Sequence, residues 1–136
     1  MKGRKRHLLV DTLGLLHGLV VHAGPLSERA GAELVLFQAA AAGTGLQRLQ
    51  RVWCDGGYEG FAQWANEHDS LVVERVERPA GTKGWVVLPK RWIVARTLAW
   101  LLRCRRLARD YEYLPESREA WIYLAMSQLM LRRLKP

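Results

Sequence analysis

The segment Arg51-Val-Trp-Cys-Asp-Gly-Gly-Tyr58 has the clearest structural signature in the sequence. It contains the β-branched Val52 and the aromatic Trp53, which predict a short strand, and the Gly56–Gly57 pair ends that strand. Asp55 therefore stands at the carboxyl end of a strand, where α/β and α+β folds place metal-binding and catalytic carboxylates. The same residues also fit a β-turn in which Asp55 only caps the loop. The local sequence leaves both interpretations open.

The composition favours a polyanionic partner. The chain has 136 residues, enough for one domain with a sizeable core, and it carries a formal net charge of +8. Nucleic acid is the first candidate partner and an anionic membrane surface the second. No apolar run reaches the ~18–20 residues that a membrane span needs, and the sequence shows no signal peptide. We therefore expect a cytoplasmic, nucleoid-associated protein in which residues 1–136 form one domain.

Motifs of several common chemistries are missing from the sequence. Cys54 and Cys104 do not form a metal-type C-x-x-C pair, and we expect both to be reduced thiols in the core. No histidine shows metal-ligand spacing. The four histidines are His7, His17, His22 and His68. A G-x-S-x-G nucleophile elbow, a P-loop and a dinucleotide-binding glycine motif are also missing, which argues against hydrolases of that type and against nucleotide-dependent enzymes.

The first part of the chain predicts a hairpin. The basic segment Lys2–Arg6 is either a disordered arm or the lead into a strand over His7–Thr12, and Leu15–His22 is the partner strand. A domain rarely begins on a hairpin. If the hairpin belongs to a larger sheet, the neighbouring strand is missing or comes from elsewhere.

A helix follows the hairpin. Ser27 is the expected N-cap, Ala30–Ala42 the helical body and Gly43–Gly45 its end. Helical spacing predicts one face that packs on a sheet. That face comprises Leu34, Phe37, Gln38 and Ala41. After the Asp55 strand, a short amphipathic helix is predicted over Gly60–His68 and a strand over Ser70–Val76.

The last part of the chain is rich in arginine. A brief extended segment at Trp85–Leu88, stopped by Pro89, precedes a long helix predicted from Lys90 or Arg91 to about Asp110. A final helix, capped by Ser117 and ending near Leu134, is apolar on most sides, which indicates a buried element.

Arginines of the long helix form a candidate basic stripe. Steps of seven and three residues place Arg96, Arg103 and Arg106 near one face, which could lie along a phosphate backbone. The alternative is a solvated face with ion pairs to acidic residues elsewhere in the chain. Those candidate partners are Glu74, Glu77 and Asp110.

Several segments together carry a family resemblance. They are His7–Gly14 after Gly3–Arg6, Trp53–Tyr58, Val86–Val94, Arg96–Trp100 and Arg103–Glu112. They resemble bacterial insertion-sequence transposases of the DDE type, within the insertion-sequence four/five superfamily. The resemblance runs from about Gly3 to Leu134. It implies an α/β (α+β) fold with an RNase H-like mixed sheet flanked by helices, N-terminally truncated so that the first strand is missing.

The resemblance implies a two-metal chemistry on DNA. Three carboxylates in such enzymes hold two Mg²⁺ ions, which activate water or a 3′-hydroxyl for in-line attack on a phosphodiester. Asp55 matches the second carboxylate and would be both a catalytic residue and a metal ligand. The resemblance also places the arginine-rich helix near donor DNA. The candidate DNA-binding residues are Lys90, Arg91, Arg96, Arg103 and Arg106.

Two departures from the family pattern argue against full activity. In Trp92-Ile-Val-Ala-Arg-Thr97, Ala95 stands where the family motif Trp-x-x-Glu-Arg-Thr has its glutamate, the third carboxylate. The first carboxylate precedes the basic Gly3–Arg6 segment in the family and is expected to be absent here. Asp11 resembles a family aspartate of the second strand that we do not take as a ligand, and its being the first carboxylate is the alternative.

The charge balance then predicts an impaired enzyme. Two Mg²⁺ ions need several carboxylates around them, and Asp55 alone cannot hold both. We therefore expect a transposase-derived protein that binds DNA but has lost catalysis, with Mg²⁺ binding in doubt. Two alternatives stay open: a non-catalytic DNA-binding protein or partner of an intact transposase, and the second half of a split transposase. We also expect association, as a homo-oligomer or with another chain, through the open edge beside the Leu8 strand.

Overall fold

A computed structural model describes residues 3–43, 46–69, 71–88 and 90–134 of the chain. The strands are β1 (Arg4–Val10), β2 (Leu16–Ala23), β3 (Arg51–Asp55) and β4 (Val72–Val76). The helices are α1 (Glu28–Ala41), α2 (Phe61–Asp69), α3 (Arg91–Leu102), α4 (Arg105–Ala108) and α5 (Pro115–Leu134), with a 3₁₀ turn at Leu46–Arg48. The mixed α/β (α+β) class predicted from the sequence is confirmed.

The strands lie as two separate pairs. β1 and β2 form the predicted antiparallel hairpin, in which Leu8 lies opposite Leu19. β3 and β4 are parallel, and Asp55 lies beside Val76 at their carboxyl ends. Among the strands that the structure describes, β1 has only β2 as a hydrogen-bonded neighbour and β3 has only β4.

The β1–β2 hairpin packs on both of its faces. On one face Leu8 contacts a core built with α3, α4 and α5. The buried members of that core are Leu19, Val21, Leu101, Leu107, Ile122 and Met126. On the other face Leu9 contacts a second cluster, which Val52 and Cys54 of β3 also contact. Its buried members are Ala32, Leu36, Phe61, Ala65 and Leu71, so α1 and α2 connect the hairpin to the β3–β4 pair.

Helix α1 buries a different face from the one predicted. Ser27 is the N-cap as expected, since its side chain accepts a hydrogen bond from Ala30 N. Leu34 and Phe37, however, are 45% and 75% exposed, so the predicted packing face of these two residues with Gln38 and Ala41 is wrong. The buried residues are Gly31, Ala32, Val35, Leu36 and Ala39.

Two glycines explain which face of α1 meets the hairpin. A Cβ atom on Gly31 would lie 2.3 Å from Nε2 of His7 in β1. A Cβ atom on Gly18 of β2 would lie 3.0 Å from a methyl carbon of Val35. Helix α1 and the hairpin therefore approach closely at two points where glycine leaves room. This close approach selects the Val35 face of α1 as the face that packs on the hairpin.

The prediction of one continuous helix from residue 90 to residue 110 is wrong, because the observed helix breaks after Leu102. Cys104 is extended, with φ −77° and ψ 115°, and α4 begins at the next residue. The break has a packing reason: Leu101 and Leu107 are 2% and 0% exposed and lie in the same core. Six residues apart on one straight helix, they would point about 120° apart.

Helix α5 buries one face, which corrects the expectation that it is buried on most sides. Ile122 and Met126, one turn apart, are buried, while Leu124 and Leu131 are 62% and 63% exposed. The helix begins at Pro115, a residue suited to the first helical position, before the predicted cap at Ser117. Its contacts with β2, α3 and α4 lie on the Ile122 side, so the opposite side faces solvent.

Other expectations concern shorter segments. Arg4–Arg6 belongs to β1, which decides between the two interpretations of the basic segment for those residues. Trp85–Leu88 lies outside any strand. Both cysteines are free thiols packed against the two cores, as predicted. Lys2, Gly45, Ser70 and Pro89 lie outside the described residues. None of the described helices is long and apolar enough to cross a membrane.

Arg118 joins α5 to the end of α4. It is 4% exposed, although it is an arginine. Its guanidinium donates to the carbonyl oxygens of Leu107 at 2.7 Å and of Arg109 at 2.6 Å. These carbonyls lie at the end of α4 and have no partner inside the helix. The guanidinium supplies their hydrogen bonds, and its positive charge is stabilised by the negative end of the helix dipole.

Replacing Arg118 with methionine should lower the free energy of unfolding by about 2–4 kcal/mol, because charged hydrogen bonds are lost and buried carbonyls are left without partners. Urea unfolding followed by circular dichroism measures the change. The matched control is Arg132→Met, an exposed position on the same helix, where we expect a change within about 0.5 kcal/mol. Equal effects at the two positions would show that the Arg118 hydrogen bonds contribute nothing.

Candidate functional site

Asp55 lies where the strand signal placed it. It is the last residue of β3 and its side chain is exposed. Oδ1 accepts a hydrogen bond from Gly57 N at 3.1 Å, and the Asp55 carbonyl accepts one from Tyr58 N at 3.3 Å. The carboxylate therefore caps its own turn, which is the loop interpretation that the sequence left open. This cap uses only one hydrogen bond to Oδ1, so the carboxylate remains open to solvent.

A cavity of about 950 Å³ lies between β1 and β3, with α1 and α3 contributing to its walls. Asp55 and Ala95, the two positions assigned from the resemblance, both line it. Lys90 and Arg91 line the same cavity. Lys90 Nζ also lies 5.2 Å from the centre of the Trp53 ring, which places the start of α3 beside the Asp55 strand.

Two of the predicted DNA-binding arginines are held by the fold. The Arg96 guanidinium lies between the Trp92 and Trp100 rings, at 4.6 and 4.8 Å from their centres, and donates to Leu13 O at 2.9 Å. Arg106 forms an ion pair of 2.7 Å with Glu112 and lies over the Trp121 ring. Both guanidiniums are thus already engaged by partners within the fold.

The break after α3 rules out the single basic stripe that the sequence predicted. It required Arg96, Arg103 and Arg106 to share one continuous helix, and that helix ends at Leu102. The ion pairs expected as the alternative are also different. The acidic residues are paired by other arginines: Arg51 with Glu74, Arg75 with Glu77 and Arg4 with Asp110.

A buried imidazole lies next to this site and was missed by the sequence analysis. His7 is 2% exposed and its Nδ1 lies 2.9 Å from the Tyr58 hydroxyl. Its ring stacks on His22 at 4.7 Å, and Nε2 lies 3.7 Å from a carboxylate oxygen of Glu28. The hairpin register could have shown the stacking, since His7 and His22 are diagonal neighbours across β1 and β2.

Burial sets the ionisation of this cluster. It lowers the pKa of His7, and the neighbouring His22 lowers it further, whereas Glu28 acts in the opposite direction. Burial also raises the pKa of Tyr58, with Glu28 and Asp55 adding to the effect. The thiol of Cys54, beside Asp55 in β3, has its pKa raised to about 11 by burial, so it is not a reactive nucleophile at neutral pH. The lowered pKa of His7 and the raised pKa of Tyr58 both favour the neutral forms of these two side chains.

The fold and this site together define a class of protein. Two strand pairs flanked by helices, with a strand-end aspartate facing a cationic helix across a cavity, form an α+β protein consistent with the RNase H-like type. A family model described as transposase DDE domain matches residues 1–130, and the chain belongs to that family. No curated protein and no solved structure matches the sequence.

The divalent metals used by this family do not fit the residues present. Within the described ranges, no group of three or more His, Cys, Asp or Glu side chains is placed to hold a metal ion. Ala95 offers no ligand, and Asp55 is the only carboxylate on its turn between Arg51 and Tyr58. Asp11 follows β1 and accepts hydrogen bonds from Leu13 N and Leu15 N at 2.9 Å each, so it organises the hairpin loop.

The buried His7 predicts a loss of stability in mild acid. Since its pKa is lower in the folded state, the unfolded chain binds more protons between that pKa and the unfolded value of about 6.5. The free energy of unfolding should therefore fall as the pH drops through this window. His7→Gln should remove part of that fall, measured by urea unfolding at several pH values.

The control for this titration is His68→Gln, since His68 is exposed at the end of α2. That variant should keep the wild-type pH dependence. If His7→Gln lost stability in acid as steeply as the wild type, the acid sensitivity would come from other groups.

Proposed function

We propose that this chain is a transposase-derived DNA-binding protein that does not cleave DNA by itself. Membership of the transposase family supports a role in DNA transposition or its control. The observation that supports the loss of catalysis is that Asp55 and Ala95 line one cavity, at two positions where the family pattern has carboxylates. We further propose that residues 1–136 act as one domain in the cytoplasm, on the nucleoid.

The charges around the cavity support this proposal. Only two carboxylates, Asp11 and Asp55, are among its described lining residues. The cations that line it are Arg6, Arg48, Arg51, Lys90 and Arg91. Divalent ions need an excess of negative ligands, and a cationic wall raises the free energy of bringing them in. The same wall favours a polyanion such as a DNA backbone.

Exposed arginines outside the cavity supply the second support. Arg103, Arg105 and Arg109 are exposed around α4, and we refer to them as the α4 arginine group. With the formal net charge of +8, they give the chain the charge excess that phosphate contacts require. The predicted contacts at Lys90 and Arg91 are also exposed, at the start of α3.

Cleavage is tested with the purified chain, the terminal DNA of its element and either Mg²⁺ or Mn²⁺. We expect no strand cleavage, because Asp55 lacks partner carboxylates. Ala95→Glu should also remain inactive, since one restored glutamate leaves the site short of ligands. Metal-dependent nicking by the unaltered chain, abolished in Asp55→Asn, would overturn the loss of catalysis.

DNA binding is tested by measuring affinity against salt concentration. Counterion release predicts that log K falls linearly with log salt, and replacing all three members of the α4 arginine group with glutamine should lessen the slope by about 2–3. The control is Arg29→Gln, on α1, where the guanidinium is paired with Glu33 at 2.7 Å. A salt-independent affinity, or equal slopes for the two variants, would remove this surface from DNA binding.

The alternative function is partnership with a second polypeptide, either an intact transposase or the other half of a split enzyme. One observation favours it: the cavity lies between two strand edges that lack neighbours among the described strands.

A further inference from the structure

Helix α5 has a second row of side chains on the side away from the core, which we refer to as the outer row. Its core row contains the buried Ile122 and Met126. The outer row comprises Ala120, Leu124, Ser127, Leu131 and Leu134. All of its members are exposed, and its three leucines are exposed by 62%, 63% and 78%. Leu131 lies nine residues after Ile122, about 180° around the helix, so the outer row faces away from the core.

The spacing of the outer row is that of a seam between two helices. Its members follow one another at steps of four, three, four and three residues. This is the spacing of a and d positions in a heptad, which keeps one stripe of a helix against a partner helix. The outer row is also the reason that the sequence predicted burial on most sides of α5, although the described residues of this chain leave it exposed.

Large and small side chains alternate along the outer row. Ala120 and Ser127 are small, whereas Leu124 and Leu131 are large. A second copy of α5 can pack antiparallel, with the two-fold axis between residues 125 and 126. Leu124 then lies level with Ser127 of the second copy, and Leu131 lies level with Ala120 of the second copy. Because each large side chain meets a small one, the outer row is complementary to itself, as a two-fold interface requires.

The charges along α5 favour the antiparallel direction. Its first turn carries Glu116, and its last turn carries Arg132 and Arg133. In an antiparallel pair, the acidic end of each helix lies near the basic end of the other, and the two helix dipoles oppose each other. A parallel pair would bring like charges together and align the dipoles. The charge distribution of α5 is therefore complementary to a second copy of itself.

The flanks of the outer row favour a protein partner over a lipid surface. A helix that binds a membrane surface is typically rich in Lys and Arg on its polar face. Between Ala120 and Leu131, the positions beside the outer row carry Trp121, Tyr123 and Gln128, and no Lys or Arg occurs in this part of α5. Tryptophan and tyrosine are enriched at protein interfaces.

We infer that the outer row of α5 is a self-association surface, on which a second copy of this chain packs its own α5 in antiparallel orientation. The surface differs from the strand edge beside Leu8, at which the sequence predicted association. It is also separate from the cavity, whose described lining residues include none from α5. The inference depends neither on DNA binding nor on the loss of catalysis.

Sedimentation velocity of the unaltered chain, over a range of concentrations and without DNA, tests the dimer. We expect a reversible equilibrium between monomer and dimer. Leu124→Glu combined with Leu131→Glu should raise the dissociation constant at least tenfold, because it places like charges in an apolar seam. Both positions are exposed, so circular dichroism should show an unchanged fold. An unaltered chain that stays monomeric at every concentration would overturn the proposal.

The matched control makes the same change of charge on another helix. Leu34→Glu combined with Phe37→Glu alters two residues of α1 that are 45% and 75% exposed. This variant should form dimers as the unaltered chain does. If the two double variants dissociated equally, the added charge and not the outer row would be responsible, and the proposal would fail.

Cross-linking tests the antiparallel direction. The two copies of residue 127 should lie about 5 Å apart along the helix axis, and the two copies of residue 116 about 28 Å apart. A short bismaleimide should therefore join Ser127→Cys chains but not Glu116→Cys chains. The unaltered chain, with Cys54 and Cys104 only partly exposed, is the control and should stay unlinked. Efficient cross-linking at both positions would indicate a parallel pair and overturn the proposal.

Phosphatidylserine vesicles distinguish a second copy from a lipid surface. The α5 and α1 double variants have the same net charge, so we expect them to bind the vesicles equally. An unaltered chain that is monomeric, together with weaker vesicle binding by the α5 variant alone, would identify lipid as the occupant of the outer row and overturn the proposal.

Discussion

Each β-strand has two hydrogen-bonding edges, and the backbone groups on both need partners or water. The far edge of β2 meets α5, where Val21 N donates to a carboxylate oxygen of Glu119 at 2.7 Å. The facing edges of β1 and β3 instead border a cavity, so side chains rather than backbone hydrogen bonds join the two strand pairs. Leu9 and Val52 reach the same cluster from opposite sides, and α3 contacts both strands.

The arginines divide into those that the fold uses and those that face solvent. Arg96 between two tryptophans, Arg106 on Glu112 and the buried Arg118 stabilise the contacts of α3, α4 and α5. Net charge alone would count all of them toward a nucleic-acid surface. Once the held cations are set aside, the exposed cations include those at the start of α3 and around α4. The cationic surface open to any polyanion therefore comprises fewer residues than the composition indicates.

Local signals in the sequence predicted what depends on neighbouring residues. Ser27 caps α1, the hairpin forms, and Asp55 ends its strand. The packing face of α1 could not be read from spacing, because Val35 and Leu34 each begin an apolar row on a helix rich in alanine and leucine. The choice between the rows depends on two glycines that allow the close approach of helix and hairpin. Gly18 lies outside α1, in β2, and Gly31 adds no side chain to the apolar pattern of the helix. The break at Cys104 and the His7–Tyr58 contact likewise depend on tertiary packing.

The cavity and the exposed cations act on different parts of the surface. Filling the cavity replaces water beside Asp55 and the lining cations, and repulsion among cations grows as the local dielectric falls. The α4 arginine group is not among the cavity's described lining residues, so the cavity and these arginines are separate features of the surface.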